Sequence, residues 1–485
     1  MYWVDAVVFG LYFVAMIGVG VYFLTRNKSA TDYYVGGREM GTGHVGLSIV
    51  ATDVGGGFSI GLGGLGFTMG LSGSWLLFTG LIGAILSGTF LVPYLHRHTE
   101  LRTAMTFPDL FRVRFGKGAA FIAAFISAVG YLGFTSSQIL AGAKLATATF
   151  PDLSFNTILI LMGATVVGYT ALGGIKAVIY TDTIQWVVLL SGLAFVGIPF
   201  GVSAVGGIDE IRALLPAEMM SMTNVSWQTI VRWLVTIVPI WFVGMTLYQR
   251  IYACRDEKSA RRAFYMAGLF EWPVMAFLGV GMGMIARVAA MKGLIGPEMA
   301  SGNAMDPEQG LPLMLNTVLP VGLMGLIMSA YFSAILSTAD SCLMASSANT
   351  LADILQRVWP RRFVAKRMLR HSIGVTFLLG AIAIALATIM TSVLDLMLMS
   401  YAFMVSGLFV PVVAALVQRR PNQAAAVAAM LLGGMVTISL TLLKISPLSL
   451  DANVFGISAS ALAYVVVSRI TTGKNAGPLE RSNDV

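Results

Sequence analysis

Apolar runs of about 20 residues recur along almost the whole chain, and this feature constrains its fold more than any other. A run of that length crosses a lipid bilayer as an α-helix. No segment between the runs is long enough to form a soluble domain. Only 11% of the 485 residues are charged, against roughly 25% in soluble domains. The sequence therefore predicts an all-α membrane protein with many transmembrane helices.

The breaks between apolar runs predict about thirteen spans, with a short fifth span and a long ninth one. The predicted spans are 3–24, 44–69, 73–95, 119–148, 156–171, 180–204, 228–247, 264–289, 311–346, 372–393, 396–417, 424–443 and 452–468. We interpret residues 1–470 as one polytopic domain and 471–485 as a short cytoplasmic tail. The first run lacks a basic leader and a cleavage site, which indicates a retained span and not a signal peptide.

The basic residues predict how the chain is oriented in the membrane. If the N-terminus faces outside, 25 of the 31 lysines and arginines fall on the inner side, including the cluster from Arg250 to Arg262. Cytoplasmic loops carry such an excess. The other six are Lys144, Arg212, Arg232, Arg287, Lys292 and Lys444. We therefore expect a multi-pass protein of the plasma (inner) membrane with a cytoplasmic C-terminus, and we attribute the net charge of +8 to loops and not to nucleic-acid binding.

The middle of the second span, ATDVGGGFSIGLGGLG, combines an acid with many glycines. Asp53 precedes seven glycines between Gly55 and Gly66. Such a stretch can unwind where it is buried in protein, and a broken helix exposes carbonyls that can hold a cation. The alternative is close helix packing, because Gly57 and Gly61 have the spacing of small residues at helix interfaces. The acid favours an unwound site, since ionisable residues inside membranes are usually functional.

The ninth span ends in a second polar cluster. Ser333, Ser337 and Ser341 recur on one helix face, with Thr338 and Asp340 among them. Hydroxyl and carboxylate oxygens are the ligands that hard cations prefer. Single serines often bond only to their own helix, but five such side chains within nine residues indicate a cation path.

A third feature is Asp182, which follows a Gly-Gly pair at the inner start of the sixth span. It is either a site residue or an acid that complements a helix dipole. Motifs of nucleotide hydrolysis and metal catalysis are absent from the sequence, and the two cysteines cannot form a disulfide framework. Concentrative transport by this chain would need an ion gradient, and we expect no enzyme activity.

Five motifs in consistent order over residues 5–420 resemble those of the sodium/solute symporter family. They are DYYVGGR, ATDVGGG, GGIKAVIYTDTIQ, YQRIYACRDEKSARRA and SAILSTADS. The resemblance implies a LeuT-type fold with two inverted five-helix repeats, about 44–204 and 228–417, each beginning with a broken helix. In the second repeat, Pro239 and Gly244 flank Trp241 at the matching interruption.

The family resemblance implies a secondary active transporter that couples sodium flow to uptake of a small polar organic solute, such as an amino acid or a carboxylate. The implied partners are sodium, the solute and the lipid bilayer, with no nucleic acid and no obligate protein partner. A proton-coupled symporter of the same fold and a transporter-like nutrient sensor stay open as alternatives. Asp53 is the residue that keeps proton coupling open.

Residue by residue, the resemblance also implies ion sites. The main sodium site would use the carbonyls of Ala51, Val54 and Ala334 and the hydroxyls of Ser337 and Thr338. Asp182 matches the family's inner acid.

That acid is implicated in sodium exit or in a second ion site. Asp340 and Ser341 occupy positions that line the second site in some members.

The predicted solute pocket consists of Asp53, Gly56, Phe58, Gln138 and Trp241. Gln138 could instead bond one helix to another. The rings of Phe58 and Trp241 could close over a solute or simply pack.

Overall fold

The structure is a computed structural model that describes residues 3–24, 36–102, 104–150, 153–173, 175–295, 306–361, 363 and 368–471. Within these ranges some side chains are not described, among them those of Val54 and of residues 56–59. The described residues form helices and no strand, apart from one isolated β-bridge between Met40 and Cys254.

The first half of the described chain contains eleven α-helices. They are α1 (Trp3–Leu24), α2 (Thr42–Met69), α3 (Trp75–Leu86), α4 (Val92–Arg97), α5 (Thr99–Arg102), α6 (Pro108–Phe115), α7 (Lys117–Thr149), α8 (Phe155–Gly173), α9 (Ile175–Gly192), α10 (Ile198–Ala204) and α11 (Ile208–Leu214). Short π-helical segments at Ser87–Leu91 and Leu193–Gly197 join α3 to α4 and α9 to α10.

The second half of the described chain contains eleven more. They are α12 (Trp227–Val243), α13 (Met245–Ala253), α14 (Glu257–Leu269), α15 (Ala276–Met291), α16 (Pro307–Val318), α17 (Leu323–Ala348), α18 (Gln356–Val358), α19 (Met368–Ala387), α20 (Val393–Val417), α21 (Gln423–Leu442) and α22 (Ala452–Thr471). The π-helical segment Phe270–Met275 joins α14 to α15, and Asn349–Leu355 joins α17 to α18.

Several of these segments can cross a bilayer by length and composition. Within the described ranges, eight helical segments are long and apolar enough, and the bent pair α12–α13 adds a ninth. Shorter apolar helices at Trp3–Tyr12, Phe155–Gly168 and His371–Ala387 overlap the first, fifth and tenth predicted spans. The all-α membrane fold is confirmed, whereas the count of thirteen spans stays a prediction.

The predicted ninth span, 311–346, is wrong as a single helix. The chain forms α16 and then α17, because the segment between them contains Pro320 and Gly322. Proline disfavours helical geometry in the residue before it, and Gly322 has a φ of +88°. Asp5 of α1 holds this turn, since its Oδ1 accepts hydrogen bonds from the backbone N–H groups of Gly322 and Gly325 at 2.7 and 2.8 Å.

Both predicted helix breaks are present. In α2, Gly55 departs from helical geometry with φ +49° and ψ −178°. The axes of α12 and α13 differ by 42° across Gly244. The backbone N–H that becomes free at this second break, on Thr246, donates to the Tyr131 hydroxyl at 3.2 Å, so α7 satisfies it.

The glycines of α2 beyond the break serve close packing, as the alternative interpretation proposed. A Cβ on Gly66 would collide with the backbone of Val280 in α15, and one on Gly61 would lie 3.2 Å from Leu394 in α20. One glycine-rich stretch therefore provides a break at Gly55 and a packing face after it.

Candidate functional site

Oxygen atoms from α2 and α17 meet beside the break in α2. The Thr338 hydroxyl lies 2.9 Å from the carbonyl oxygen of Ala51 and 3.1 Å from that of Ala334. The Ser337 hydroxyl lies 3.2 Å from the same Ala334 oxygen. All four residues are buried. Carbonyl and hydroxyl oxygens are the ligands a hard cation prefers, so four of the five predicted sodium ligands lie in one suitable cluster.

The break brings α2 unusually close to α17. A Cβ on Gly55 would lie 2.6 Å from Oγ1 of Thr338, closer than real side chains approach. Glycine is therefore required at position 55 both by this contact and by its positive φ. Val54, the fifth predicted ligand, immediately precedes Gly55, so its carbonyl lies where the helix is interrupted.

Asp182 forms a fully buried ion pair with Arg250. The guanidinium lies 3.3 Å from Oδ2 of Asp182, and neither side chain is exposed. Arg250 also donates to Ser48 at 3.1 Å, to Ser341 at 3.2 Å and to Thr52. Ser48 in turn donates to Asp182. These contacts tie together α2, α9, α13 and α17.

Arg250 belongs to this candidate site, although the sequence pattern places it in an inner basic loop. The helix α13 continues to Ala253 and buries the Arg250 side chain completely. A signal was available, because Arg250 stands among apolar and aromatic residues, five positions before the charged cluster that begins at Arg255.

Asp340 lies near this network but is not part of the ion pair. Its Oδ1 accepts a hydrogen bond from Thr170 at 2.5 Å. Its Oδ2 and Oδ1 of Asp182 are buried and have no hydrogen-bond donor among the described residues. Ser337 lies beside the Asp182 carboxylate. Each of the two carboxylates therefore keeps one buried oxygen without a donor among the described residues.

Asp53 is buried at the break, with the carboxyl group of Glu271 and the hydroxyl of Tyr401 within hydrogen-bonding reach. Glu271 is a second buried charged residue that the sequence pattern does not assign to the site. It lies in the π-helical segment Phe270–Met275 and is fully buried. A single acid in the apolar run 264–289, two residues before a proline, was the available signal.

The other predicted pocket residues divide into three cases. Trp241 is fully buried and packs against Gly83 of α3. Gln138 is buried in α7, and its amide nitrogen lies 3.4 Å from the neighbouring Ser137 hydroxyl. Gly56 and Phe58 belong to the part of α2 whose side chains are not described.

Polar contacts close the bundle at the end predicted to face outward. Glu308 of α16 accepts hydrogen bonds from Lys144 at 2.6 Å and from the backbone N–H groups of Val393 and Leu394 at 2.9 and 3.0 Å. A Cβ on Gly64 would lie 3.2 Å from its side chain. Glu308 therefore joins α2, α7 and the start of α20.

At the opposite end, backbone pairing links the segment before α2 to the end of α13. Met40, just before α2, donates to the carbonyl of Ala253 at 3.0 Å and accepts from the N–H of Arg255 at 3.2 Å. Along α2, the candidate ion residues lie between these two sets of contacts, since Met40 precedes the helix and Gly64 lies beyond the break.

The comparisons with known proteins agree with this architecture. The model of the sodium:solute symporter family matches residues 33–433. The osmoregulated proline transporter OpuE of Bacillus subtilis is 28% identical, with 95% of this chain and 94% of the relative covered. The high-affinity proline transporter PutP of the same organism is 27% identical, with 97% and 98% covered. A Na⁺-coupled sialic acid symporter in a substrate-bound outward-open state is 22% identical, with a TM-score of 0.78 over 97% of this chain and 98% of that one.

Proposed function

Because the chain belongs to the sodium:solute symporter family and is a sodium-coupled solute symporter, not an enzyme, we propose a place for its ion. The sodium ion would bind where α2 and α17 meet. The ligands would be the carbonyls of Ala51, Val54 and Ala334 and the hydroxyls of Ser337 and Thr338. The observation that carries this proposal is the position of the Thr338 hydroxyl, 2.9 Å from one carbonyl of α2 and 3.1 Å from one of α17.

A sodium ion at this place would couple the two helices. Because it would touch both, its affinity would depend on how closely α2 and α17 approach, and a ligand shifts an equilibrium only by such a difference in affinity. None of these carbonyls and hydroxyls titrates near neutral pH, which favours sodium over a proton as the ion of this site.

Asp182, Asp340 and Ser341 would form a second ion site or the route by which sodium leaves. The unsatisfied buried oxygens of Asp182 and Asp340 support this proposal, as does the adjacent Ser337. Arg250 would hold one face of the Asp182 carboxylate, and an ion would contact the other.

We propose L-proline or a closely related amino acid as the solute. Two relatives that cover at least 94% of both chains are proline transporters. The binding pocket would lie at the two helix breaks, with Asp53, Gly56, Phe58, Gln138 and Trp241 around it. Closure by Glu308 and by Met40 would alternate during transport, so that the pocket opens to one side at a time.

The placement of the chain in the membrane is part of the same proposal. We expect one domain over residues 1–470, with inverted repeats at about 44–204 and 228–417, in the plasma membrane and without an obligate protein partner. The excess of positive charge on one side supports an outside N-terminus and a cytoplasmic tail 471–485.

The test is uptake of labelled L-proline into proteoliposomes, with sodium or potassium outside. We expect uptake only with an inward sodium gradient. The double variant Ser337→Ala/Thr338→Ala should abolish this sodium dependence. Unchanged uptake by the double variant would contradict the assigned site, and sodium-driven uptake of other solutes but not L-proline would contradict the proposed solute.

A further inference from the structure

Glu271 is a fully buried acid to which neither the ion sites nor the predicted pocket assigns a role. Neither of its carboxylate oxygens has a hydrogen-bond donor among the described residues. A Cβ on Gly80 of α3 would collide with Oε2 of Glu271, so the glycine leaves room for the carboxylate. The π-helical segment that carries Glu271 interrupts the regular helix between α14 and α15, and such segments are frequent at functional sites.

The partner of Glu271 is another acid. The carboxyl groups of Asp53 and Glu271 lie within hydrogen-bonding reach of each other, and among the described residues the Tyr401 hydroxyl also lies within reach of Asp53. The nearby cation, Arg250, is held by Asp182 at 3.3 Å. Two adjacent buried carboxyl groups cannot both be ionised without a compensating cation, and Arg250 is engaged by Asp182, so this place is suited to a positively charged group from outside the chain.

An independent observation comes from Trp241. Its indole Nε1 is buried and has no acceptor among the described residues, although buried indole N–H groups usually have one. The Trp241 ring packs against Gly83, one helical turn along α3 from the Gly80 that accommodates Glu271. Gly80 and Gly83 therefore place Glu271 and Trp241 against the same stretch of α3, and both side chains carry buried polar atoms without a partner among the described residues.

We propose that Asp53 and Glu271 together bind the cationic amino group of the transported solute, while the Trp241 indole N–H donates to its carboxylate. The chain then selects solutes that carry a protonated amine next to a carboxylate, and Glu271 is the residue that determines this specificity. The inference rests on the proposed symport and deepens it, because it assigns the residues that recognise the amino group and the carboxylate of the solute.

The test compares matched ligands on the full-length protein in detergent. Thermal stabilisation is measured in sodium and in potassium with L-proline against N-acetyl-L-proline, and with L-alanine against L-lactate, which replaces the amine by a hydroxyl group. Apparent affinities follow from the dependence of stabilisation on ligand concentration. We expect at least one of the two amino acids to stabilise the wild type in sodium, and neither of the ligands that lack a cationic amine to do so.

Variants separate the role of Glu271 from folding. Glu271→Gln should weaken amino acid binding at least tenfold while the stabilisation by sodium alone stays at the wild-type level. Glu271→Asp should recover part of the binding. Glu210→Gln, the same change at a partly exposed acid that pairs with Lys292 away from the candidate site, should behave as wild type. If Glu271→Gln does not fold, Glu271→Asp and the ligand pairs on the wild type still decide the question.

Two outcomes would overturn the inference and leave the symport intact. One is wild-type affinity for the amino acid in Glu271→Gln. The other is sodium-dependent binding of a solute without a cationic amine. This would be N-acetyl-L-proline or L-lactate binding as strongly as its amine-bearing counterpart, or a sugar or monocarboxylate binding when no amino acid binds. If no solute of any class stabilised the wild type better in sodium than in potassium, the proposed symport itself would fail and the inference with it.

Discussion

The guanidinium of Arg250 lies 3.3 Å from Oδ2 of Asp182, and both side chains are fully buried. Removing one partner of a buried ion pair leaves an uncompensated charge, which costs about 3–5 kcal/mol. We therefore expect Arg250→Met to lower the free energy of unfolding by that amount and to lower the midpoint of thermal unfolding in detergent. The double variant Arg250→Met/Asp182→Asn should recover most of the loss, because neither charge then remains. Equal destabilisation in the single and double variants would contradict the pairing.

Thr338 should decide the apparent sodium affinity. Thr338→Ala removes the hydroxyl that lies between the carbonyls of Ala51 and Ala334, and we expect the sodium concentration for half-maximal thermal stabilisation to rise about tenfold or more, as for loss of one charge-assisted contact. Thr338→Ser keeps the oxygen and should stay within about threefold of the wild type. An unchanged sodium dependence in Thr338→Ala would place the ion elsewhere.

Gly55 should not tolerate a side chain. Gly55→Ala would place a Cβ 2.6 Å from Oγ1 of Thr338 at a φ of +49°. A non-glycine residue in such a conformation costs about 1–3 kcal/mol, and relief of the contact would move Thr338 out of the site. We expect lower stability and loss of sodium-driven uptake.

The matched control is Gly281→Ala in α15, where nothing lies within 4 Å of the added Cβ. Alanine favours a helix over glycine by about 1 kcal/mol, so this variant should be at least as stable as the wild type. Wild-type uptake by Gly55→Ala would mean that the break does not depend on the glycine.

The sequence predicted the helical membrane fold because apolar runs and glycine breaks are local signals. It also selected residues of α2 and α17 that lie together, although for Ala51 and Val54 only the family resemblance distinguished carbonyl ligands from ordinary apolar residues. Both residues have apolar side chains, and the proposed ligand is the backbone carbonyl oxygen.

Arg250 and Glu271 were missed for a different reason. Their importance depends on what lies opposite them, and Asp182 is 68 positions away from Arg250. From the neighbouring sequence alone, Arg250 is interpreted as a loop residue, and Glu271 receives no functional assignment. The same limitation explains the predicted span 311–346, whose hydropathy continues through a turn that proline and glycine create.

Stability at the start of α14 should depend on pH through Asp256. The backbone N–H of Ser259 donates to its carboxylate at 2.7 Å and holds the pKa of Asp256 below its usual range. A lowered folded-state pKa means that the stabilisation is complete above about pH 4, the unfolded value, and is lost as the pH falls through the folded-state value. Asp256→Ala should cost about 1 kcal/mol at pH 7, as for loss of an N-cap.

The Asp256 cap can be checked by thermal unfolding of the purified protein across this pH range. The difference between wild type and Asp256→Ala should shrink as the pH falls below about 4. Asp256→Asn keeps a capping side chain and should lose little stability, both at pH 7 and below about pH 4. A deficit in Asp256→Ala that persisted unchanged at low pH would assign the stabilisation to something other than the carboxylate.

Glu308 should hold the outward end of the bundle closed. Its carboxylate binds Lys144 and the first N–H groups of α20, and beside it Leu311 of the same helix is buried against Gly63. Glu308→Gln keeps the shape but removes the charge, and hydrogen bonds to charged groups contribute about 1.5–3 kcal/mol. Losing even part of this stabilisation would raise the population of the outward-open state about tenfold.

The measurement uses a Leu311→Cys background. There we expect Glu308→Gln to raise the rate of labelling by a membrane-impermeant thiol reagent about tenfold. Both native cysteines are buried, and Glu210→Gln in the same background provides the control. Equal labelling of the three proteins would mean that this contact does not control access to the pocket.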